Sequence, residues 1–366
     1  MTHRVHPRPG QAWRARAVAT LRGSCLVLAS LAACLPLAPV VIAPAAFAQQ
    51  AAPAPARRED ELQSFINPDA KDTQTRLDLL IHSNYELNQH LIALLFTQRY
   101  GERIRMERMM VPNADRDLVP CWVFTPVQME KGRRYPGIVA VHGGFHYSLD
   151  EEYFGYIERF VREGYVVMFP EYRGSRGYGK EWYDAQEYGA GDVDDVLAAA
   201  AHFAAKPYVD AARLGIVGRS RGGMVTLLAI EKQPKRFKAA VDVVGLTDFL
   251  AYMAYKPEYR RQEVAREPNF KGMPFDNLKA YMDASPILHV EKIEAPLLVH
   301  ATTYDRTVPP ELHSERLVEA LKAHGKTYEY KLYDHAPGGH GFSEGDSPEA
   351  ADSLERIVAF LGKHLK

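Results

Sequence analysis

Cysteine is scarce in this sequence. There are three in 366 residues, and two of them, Cys25 and Cys34, fall within the first fifty positions. Cys121 stands alone in the body of the chain, so no internal disulfide is available there and stability must come from a packed core. It sits in "VPCWVFTP", an alternating apolar segment, and reads as a buried strand residue rather than a reactive thiol. An excess of one charge sign is also missing. Lys and Arg number 45 against 46 Asp and Glu, for a formal net charge of -1. There is no long block of like charge and no basic stripe interleaved with aromatics, so neither nucleic acid nor an anionic membrane is a favoured partner. Internal repeats are absent. His142 has no partner at metal-ligand spacing, and neither a metal nor an organic cofactor is expected.

What is present begins with an unusual first fifty residues. Arg14, Arg16 and Arg22 precede the apolar stretch "CLVLASLAACLPLAPVVIAPAAFAQQ". This reads as a signal peptide over 1–48, with the small-residue ending Ala46-Phe47-Ala48 suited to cleavage before Gln49. Pro36, Pro39 and Pro44 disfavour a regular membrane helix, and no span is expected in the mature chain. The competing reading is the "LAAC" box, which would place a lipid anchor on Cys34. Both readings export the protein to the periplasm or beyond. Residues 49–60, rich in Ala and Pro, read as a flexible linker.

The rest has the composition of a globular protein, with 46% hydrophobic and 25% charged residues. Residues 61–100 read as a helical N-terminal extension. Leu77, Leu80, Ile81, Leu87, Leu91, Leu94 and Leu95 form apolar stripes on two helices or one bent one. "RIRMERMMVP" and "PCWVFTPV", parted by the polar turn "NADRD", predict two antiparallel edge strands. From residue 136 short apolar runs alternate with helical segments to the end of the chain. That alternation predicts an α/β protein, with a mostly parallel central sheet and helices on both faces, as one domain over 101–366. The alternation breaks at about 246–290, where Tyr, Arg and Pro accumulate. This stretch reads as a small helical cap over the strand ends.

Reactive groups in such a fold lie at the carboxyl ends of strands. "GIVGRSRGG" places Ser220 after a predicted strand and before a predicted helix, with Gly218, Gly222 and Gly223 around it. A serine on so sharp a turn is the geometry of a nucleophile elbow. Ser175, in "RGSRGYG", has Arg173 where the first glycine belongs and no helix at once behind it. A serine needs a base, and the base an orienting acid. Asp305 ends a later strand, and His340 follows in the glycine-rich loop "DHAPGGHGF"; Asp334 and His335 are their rivals. The oxyanion donors expected are the Arg221 amide and an amide of "VHGGF", namely that of Gly144. His142 in that loop reads as structural. Phe145, Arg219 and Arg221 are substrate-binding candidates. The two guanidiniums are either solvated or paired with acids such as Glu171, or at least one faces the acyl pocket.

"VHGGFHYS", "PEYRGSRGYGKEW", "GDVDDVLAAAAHFAAKPYVDAARLGIVGRSRGG", "SPILHVEKIEAPLLVHATTYDRTVPP" and "GHGF" occur in this order. From about residue 100 onward the chain resembles the catalytic domain of the prolyl oligopeptidase family. The resemblance implies an α/β-hydrolase fold, a triad of Ser220, Asp305 and His340, and an oxyanion hole near the "HGG" turn. It implies a serine-type peptidase acting on short peptides. Two departures stand out. About fifty mature residues precede the core strands, too few for the family's β-propeller, and Arg221 replaces the aromatic residue or asparagine often found after the nucleophile. Esterases related to acetyl-xylan esterases and dienelactone hydrolases share the core without a propeller, so a small-molecule ester is the alternative substrate. An inactive hydrolase fold used for binding is the alternative of another class.

Overall fold

The computed structural model describes residues 73–366. The signal segment with Cys34, the linker at 49–60 and the start of the helical extension lie outside the described residues. The described part of the extension is one helix, α1 (Thr73–Tyr100). The strands follow: β1 (Ile104–Pro112), β2 (Leu118–Pro126), β3 (Tyr135–Val141) and, after helix α2 (Phe154–Arg162), β4 (Val166–Pro170). A short α3 (Lys180–Asp184) and α4 (Gly191–Ala204) lead to β5 (Val209–Arg219), then α5 (Arg221–Lys232) and β6 (Ala239–Val243). Three short helices form the insertion: α6 (Phe249–Tyr255), α7 (Glu258–Ala265) and α8 (Leu278–Asp283). The chain closes with β7 (Leu297–Thr302), α9 (Ser314–Ala323), β8 (Tyr328–Tyr333) and α10 (Pro348–Leu365).

The eight strands form one sheet in the order β1-β2-β4-β3-β5-β6-β7-β8. β1 pairs antiparallel with β2, and β2 with β4; every other pairing is parallel. The sequence pattern follows from this. Central parallel strands are covered on both faces, so β3, β4, β6 and β7 are buried at every residue and read as unbroken apolar runs. β1, at the edge, is mostly exposed along its length. One core layer includes Phe203 of α4, Leu227 of α5 and Leu317 of α9. The other includes Phe96 of α1, Phe160 of α2 and Phe360 of α10. Helices therefore cover both faces of a mostly parallel sheet, the α/β-hydrolase arrangement expected.

The apolar stripe of α1 corrects the sequence reading of that helix. Leu77, Leu80, Ile81, Leu87, Leu91 and Leu94 are exposed, while Gln89, Ile92 and Phe96 are buried. Ring packing decides which face turns inward. Phe96 meets Tyr100, Phe124 and Phe154 with centroids 4.9–5.1 Å apart, an arrangement that leucine cannot reproduce. The insertion has an aromatic centre of its own. The Phe270 ring stacks on Tyr281 at 4.3 Å and lies 5.0 Å from Phe249. Asp248 caps α6 by accepting from the Ala251 amide at 2.9 Å. Among the described residues no helix is long and apolar enough to cross a membrane.

These layers give a direct test of which face of α1 is structural. Phe96→Ala is expected to cost about 3–5 kcal/mol in equilibrium denaturation. Leu94→Ala, on the outward face, should stay within about 0.5 kcal/mol of wild type. Equal losses would reverse the assignment of the two faces.

Candidate active site

Ser220 occupies a one-residue turn between β5 and α5, with φ 57° and ψ -121°. A non-glycine residue there is strained by about 1–3 kcal/mol, and only tight surroundings keep it in place. Its amide donates to the Val243 carbonyl at 2.9 Å, which ties the turn to β6. The flanking glycines are required by contact. A Cβ on Gly218 would lie 2.0 Å from the Gly222 carbonyl oxygen, and one on Gly222 would lie 2.2 Å from the Val141 oxygen. Larger residues at either position would push α5 away from β3 and β5.

The structure brings three of the residues singled out in the sequence into one chain of contacts. His340 lies in a single 3-10 turn, Gly339–Gly341, beyond β8. Its Nε2 is 2.8 Å from Ser220 Oγ, and its Nδ1 is 2.7 Å from Asp305 Oδ2. Asp305, in the loop after β7, is buried, and its other oxygen accepts from the Thr307 and Val308 amides at 2.8 Å each. The carboxylate is thus fixed before it meets the imidazole. It holds the proton on Nδ1 and leaves Nε2 free to accept from the serine hydroxyl. Asp334 and His335 pair with each other at 2.6 Å in exposed positions instead. Ser175 is buried, donates to the Tyr172 carbonyl at 2.6 Å and sits 2.9 Å from His142 Nε2.

The loop after β3 approaches Ser220 from the other side. A Cβ on Gly143 would come within 3.1 Å of the Ser220 Cβ. The Gly143 amide is used, donating to the Tyr153 hydroxyl at 3.0 Å. Gly144 has φ 74°, and among the described residues neither its amide nor that of Arg221 donates to a protein acceptor. Beneath the loop, His142 stacks on Tyr172 at 4.2 Å, and the Tyr172 hydroxyl donates to the His142 carbonyl at 2.8 Å. Burial lowers the His142 imidazole to about 3, so it stays neutral. Glu171 Oε2 is 3.6 Å from that ring, and Glu171 Oε1 accepts from the Leu149 amide at 2.9 Å. Burial raises the Glu171 carboxyl to about 8.

The two arginines do not use Glu171. The Arg221 guanidinium is buried and turned away from the cavity. It bonds Asp192 at 2.9 Å and Gln186 Oε1 at 2.9 Å, and lies 3.7 Å over the Tyr188 ring. Its hydrogen bonds all run to acceptors inside the protein, which argues against a role for that side chain in substrate recognition and leaves its amide. Arg219 pairs with Glu152 at 3.3 Å and with Glu344. Glu344 follows His340 on the same loop, so this ion pair ties the histidine loop to the elbow. Glu152, Asp192 and Glu344 were not foreseen, because nothing local in a sequence marks pairing across such separations. Around Ser220 opens a cavity of about 410 Å³ whose lining includes Gly144, Phe145, Arg219, Leu246, Tyr252 and His340, with Lys256 and Arg260 from the insertion. Phe145 stands between Tyr188, 4.8 Å away, and the Arg260 guanidinium, 4.1 Å away.

Glu171 gives this support a pH signature. The fold holds its proton up to about 8, whereas an unfolded glutamate releases it near 4.5. Between those values the folded state binds more protons, so this group's contribution to stability falls as pH rises and levels off above about 8. Glu171→Gln removes that component. Its melting temperature should therefore gain on that of wild type between pH 5 and pH 8.5. A constant difference across the range would show that Glu171 ionises normally.

Compared with known families, residues 152–366 match the prolyl oligopeptidase family. The chain is 32% identical over 205 residues to the uncharacterized peptidase YuxL of Bacillus subtilis, covering 55% of this chain and 30% of that protein. It is 32% identical over 189 residues to the acylamino-acid-releasing enzyme 1 of Oryza sativa subsp. japonica, covering 48% of this chain and 24% of that enzyme. The structure of a Mycobacterium tuberculosis puromycin-hydrolyzing peptidase superposes with a TM-score of 0.61 at 30% identity, over 72% of this chain and 40% of that one. The chain thus spans under half the length of these relatives. The match covers α2 through α10, including the elbow, the Asp305 loop and the His340 loop, and on that ground this protein belongs to the prolyl oligopeptidase family of serine hydrolases.

Proposed function

We propose that the protein is an exported serine hydrolase that cleaves a peptide-type amide or an ester through an acyl-enzyme. The observation that carries this reading is the contact chain Asp305–His340–Ser220 at 2.7 and 2.8 Å, anchored on a turn that holds the serine in a strained conformation. In the proposed reaction Ser220 Oγ attacks the substrate carbonyl as its proton passes to His340 Nε2. Asp305 stabilises the imidazolium without taking the proton. The oxyanion forms between the Gly144 and Arg221 amides, which have no protein acceptor to leave. His340 then protonates the departing amine or alkoxide. A water, deprotonated by the same nitrogen, releases the acyl group and regenerates the serine.

Peptides are the favoured natural substrates because the named relatives are peptidases and acyl-amino-acid-releasing enzymes. A 410 Å³ cavity fits a short acyl portion rather than a folded chain. The same chemistry extends to activated esters, whose leaving groups depart without help from the imidazole. Export rests on the pattern of Arg14, Arg16, Arg22, the apolar stretch and Ala46-Phe47-Ala48.

A fluorophosphonate probe should label wild-type protein at Ser220, and Ser220→Ala should abolish labelling. The same variant should lower turnover of aminoacyl p-nitroanilides and p-nitrophenyl esters by about 10⁶-fold. Ser175→Ala should keep labelling and lose thermal stability instead. An unlabelled wild-type protein would leave the fold as a binding module. Export has its own readout, the amino terminus of material recovered from the periplasm. It should begin at Gln49; a lipidated Cys34 or an intact Met1 would replace that cleavage site.

A further inference from the structure

Four basic residues line the cavity beside Ser220, with Glu344 as the acid among them: Arg219, Arg221, Lys256 and Arg260. Three of the four have carboxylate partners. Arg221 is matched by Asp192, Arg219 by Glu152 and Glu344, and Arg260 by Glu263 one turn on. Lys256, at the end of α6, is different. Its Nζ donates to the Thr307 carbonyl at 2.7 Å and lies 4.8 and 5.1 Å over the Tyr252 and Tyr255 rings. Among the described residues no carboxylate forms an ion pair with it. Asp305 is the acid whose charge reaches it, but both oxygens of Asp305 are taken by His340 and the Thr307 and Val308 amides.

The ammonium is also held in place. A carbonyl and two aromatic faces fix the tip of a side chain that is otherwise among the most mobile. The Thr307 bond uses one of its three N–H donors, so the others remain for a bound group. Burial and the nearby Arg260 lower its pKa, the mark of a cation held without a full complement of counter-charge. Arg260 adds positive potential from the next helix while stacked on Phe145.

Building on the serine hydrolase reading of this site, we infer that Lys256 is a specificity-determining residue that binds a carboxylate of the substrate, so that the preferred substrates are short peptides or esters bearing a negative charge within reach of Ser220. Arg260 reinforces the attraction from its place beside Phe145. The carboxylate comes either from an acidic side chain on the acyl portion or from a free terminus on the leaving group, and the two sources are separable.

Two isosteric substrate pairs test this. The p-nitrophenyl esters of N-acetylglutamate and N-acetylglutamine place the charge on the acyl side. N-acetylalanyl-lactate and N-acetylalanyl-lactamide place it on the leaving group. The measured quantity is the ratio of kcat/KM, charged over neutral, within each protein; taking each variant against wild type cancels intrinsic reactivity and any loss common to both substrates. In one of the two pairs, Lys256→Met should lower that ratio by about ten- to a hundredfold, the range for a charge-assisted hydrogen bond in a partly desolvated site. Lys256→Arg should restore most of it, and the wild-type ratio should fall as salt is raised. A ratio unchanged by Lys256→Met in both pairs would overturn the assignment and leave the lysine as a pin between the insertion and the Asp305 loop. A ratio that responds to Arg260→Gln but not to Lys256→Met would overturn it in favour of the arginine. Failure of the serine hydrolase reading looks different, since no member of either pair would then be turned over in a Ser220-dependent way.

Discussion

The backbone at Ser220 is the constraint on which the rest of the site depends. A side chain with φ 57° survives only if its neighbours on both sides are held. Val243 of β6 takes the amide, and Gly222 packs against the carbonyls of Val141 and His142 at the end of β3. Three strands therefore meet at one residue. Gly143 lies against the serine Cβ, so the turn that presents the hydroxyl also fixes the distance to the loop carrying Gly144. Ser220 and the loop carrying Gly144 share a packing contact and cannot drift independently.

Beneath this surface burial pushes several carboxyls well above their usual range. Burial raises Glu171 to about 8 and Asp242 and Glu267 to about 7. Asp242 lies directly under the first turn of α5, where a Cβ on Gly223 would meet its Oδ1 at 2.1 Å. Glu267, in the loop after α7, accepts from the Tyr188 amide at 2.9 Å and from Gln186, which in turn accepts from Arg221. The Arg221 side chain thus joins the floor of the site to the insertion. This explains how an arginine can stand at that position: a cation buried there is tolerable because Asp192, Gln186 and two tyrosine rings surround it.

Much of this was legible in the sequence, for identifiable reasons. Parallel strands buried on both faces leave continuous apolar runs, so β3 to β7 stood out as segments. Ser220 and His340 are enclosed by glycines and Asp305 follows an apolar strand, and the fold brings these three widely separated residues together. What was not legible depends on choices made in three dimensions. The leucines of α1 outnumber its buried residues, yet Phe96 finds three aromatic partners and decides the inward face. Arg219 and Arg221 look alike in the string, but one pairs across the elbow and the other points into the floor. Lys256 and Arg260 lie in a Tyr- and Arg-rich stretch whose pattern says only that it is a cap.

The position of α1 has a further consequence. The helix contributes no atom to the proposed chemistry, yet Gln89 donates to Ser148 at 2.6 Å, just beyond the Gly143–Gly144 turn. Tyr85 stacks on Tyr183, which also stacks on His146 of that same loop, 3.5 Å away. The match to the prolyl oligopeptidase family, residues 152–366, begins after this loop. A fragment cut to that boundary would keep the serine, the aspartate and the histidine. It would discard β3, Gly144 and the helix bracing them. Where this protein can be shortened is therefore set by a mechanical brace outside residues 152–366, and the unit that keeps this loop in place is larger than the family match alone would indicate.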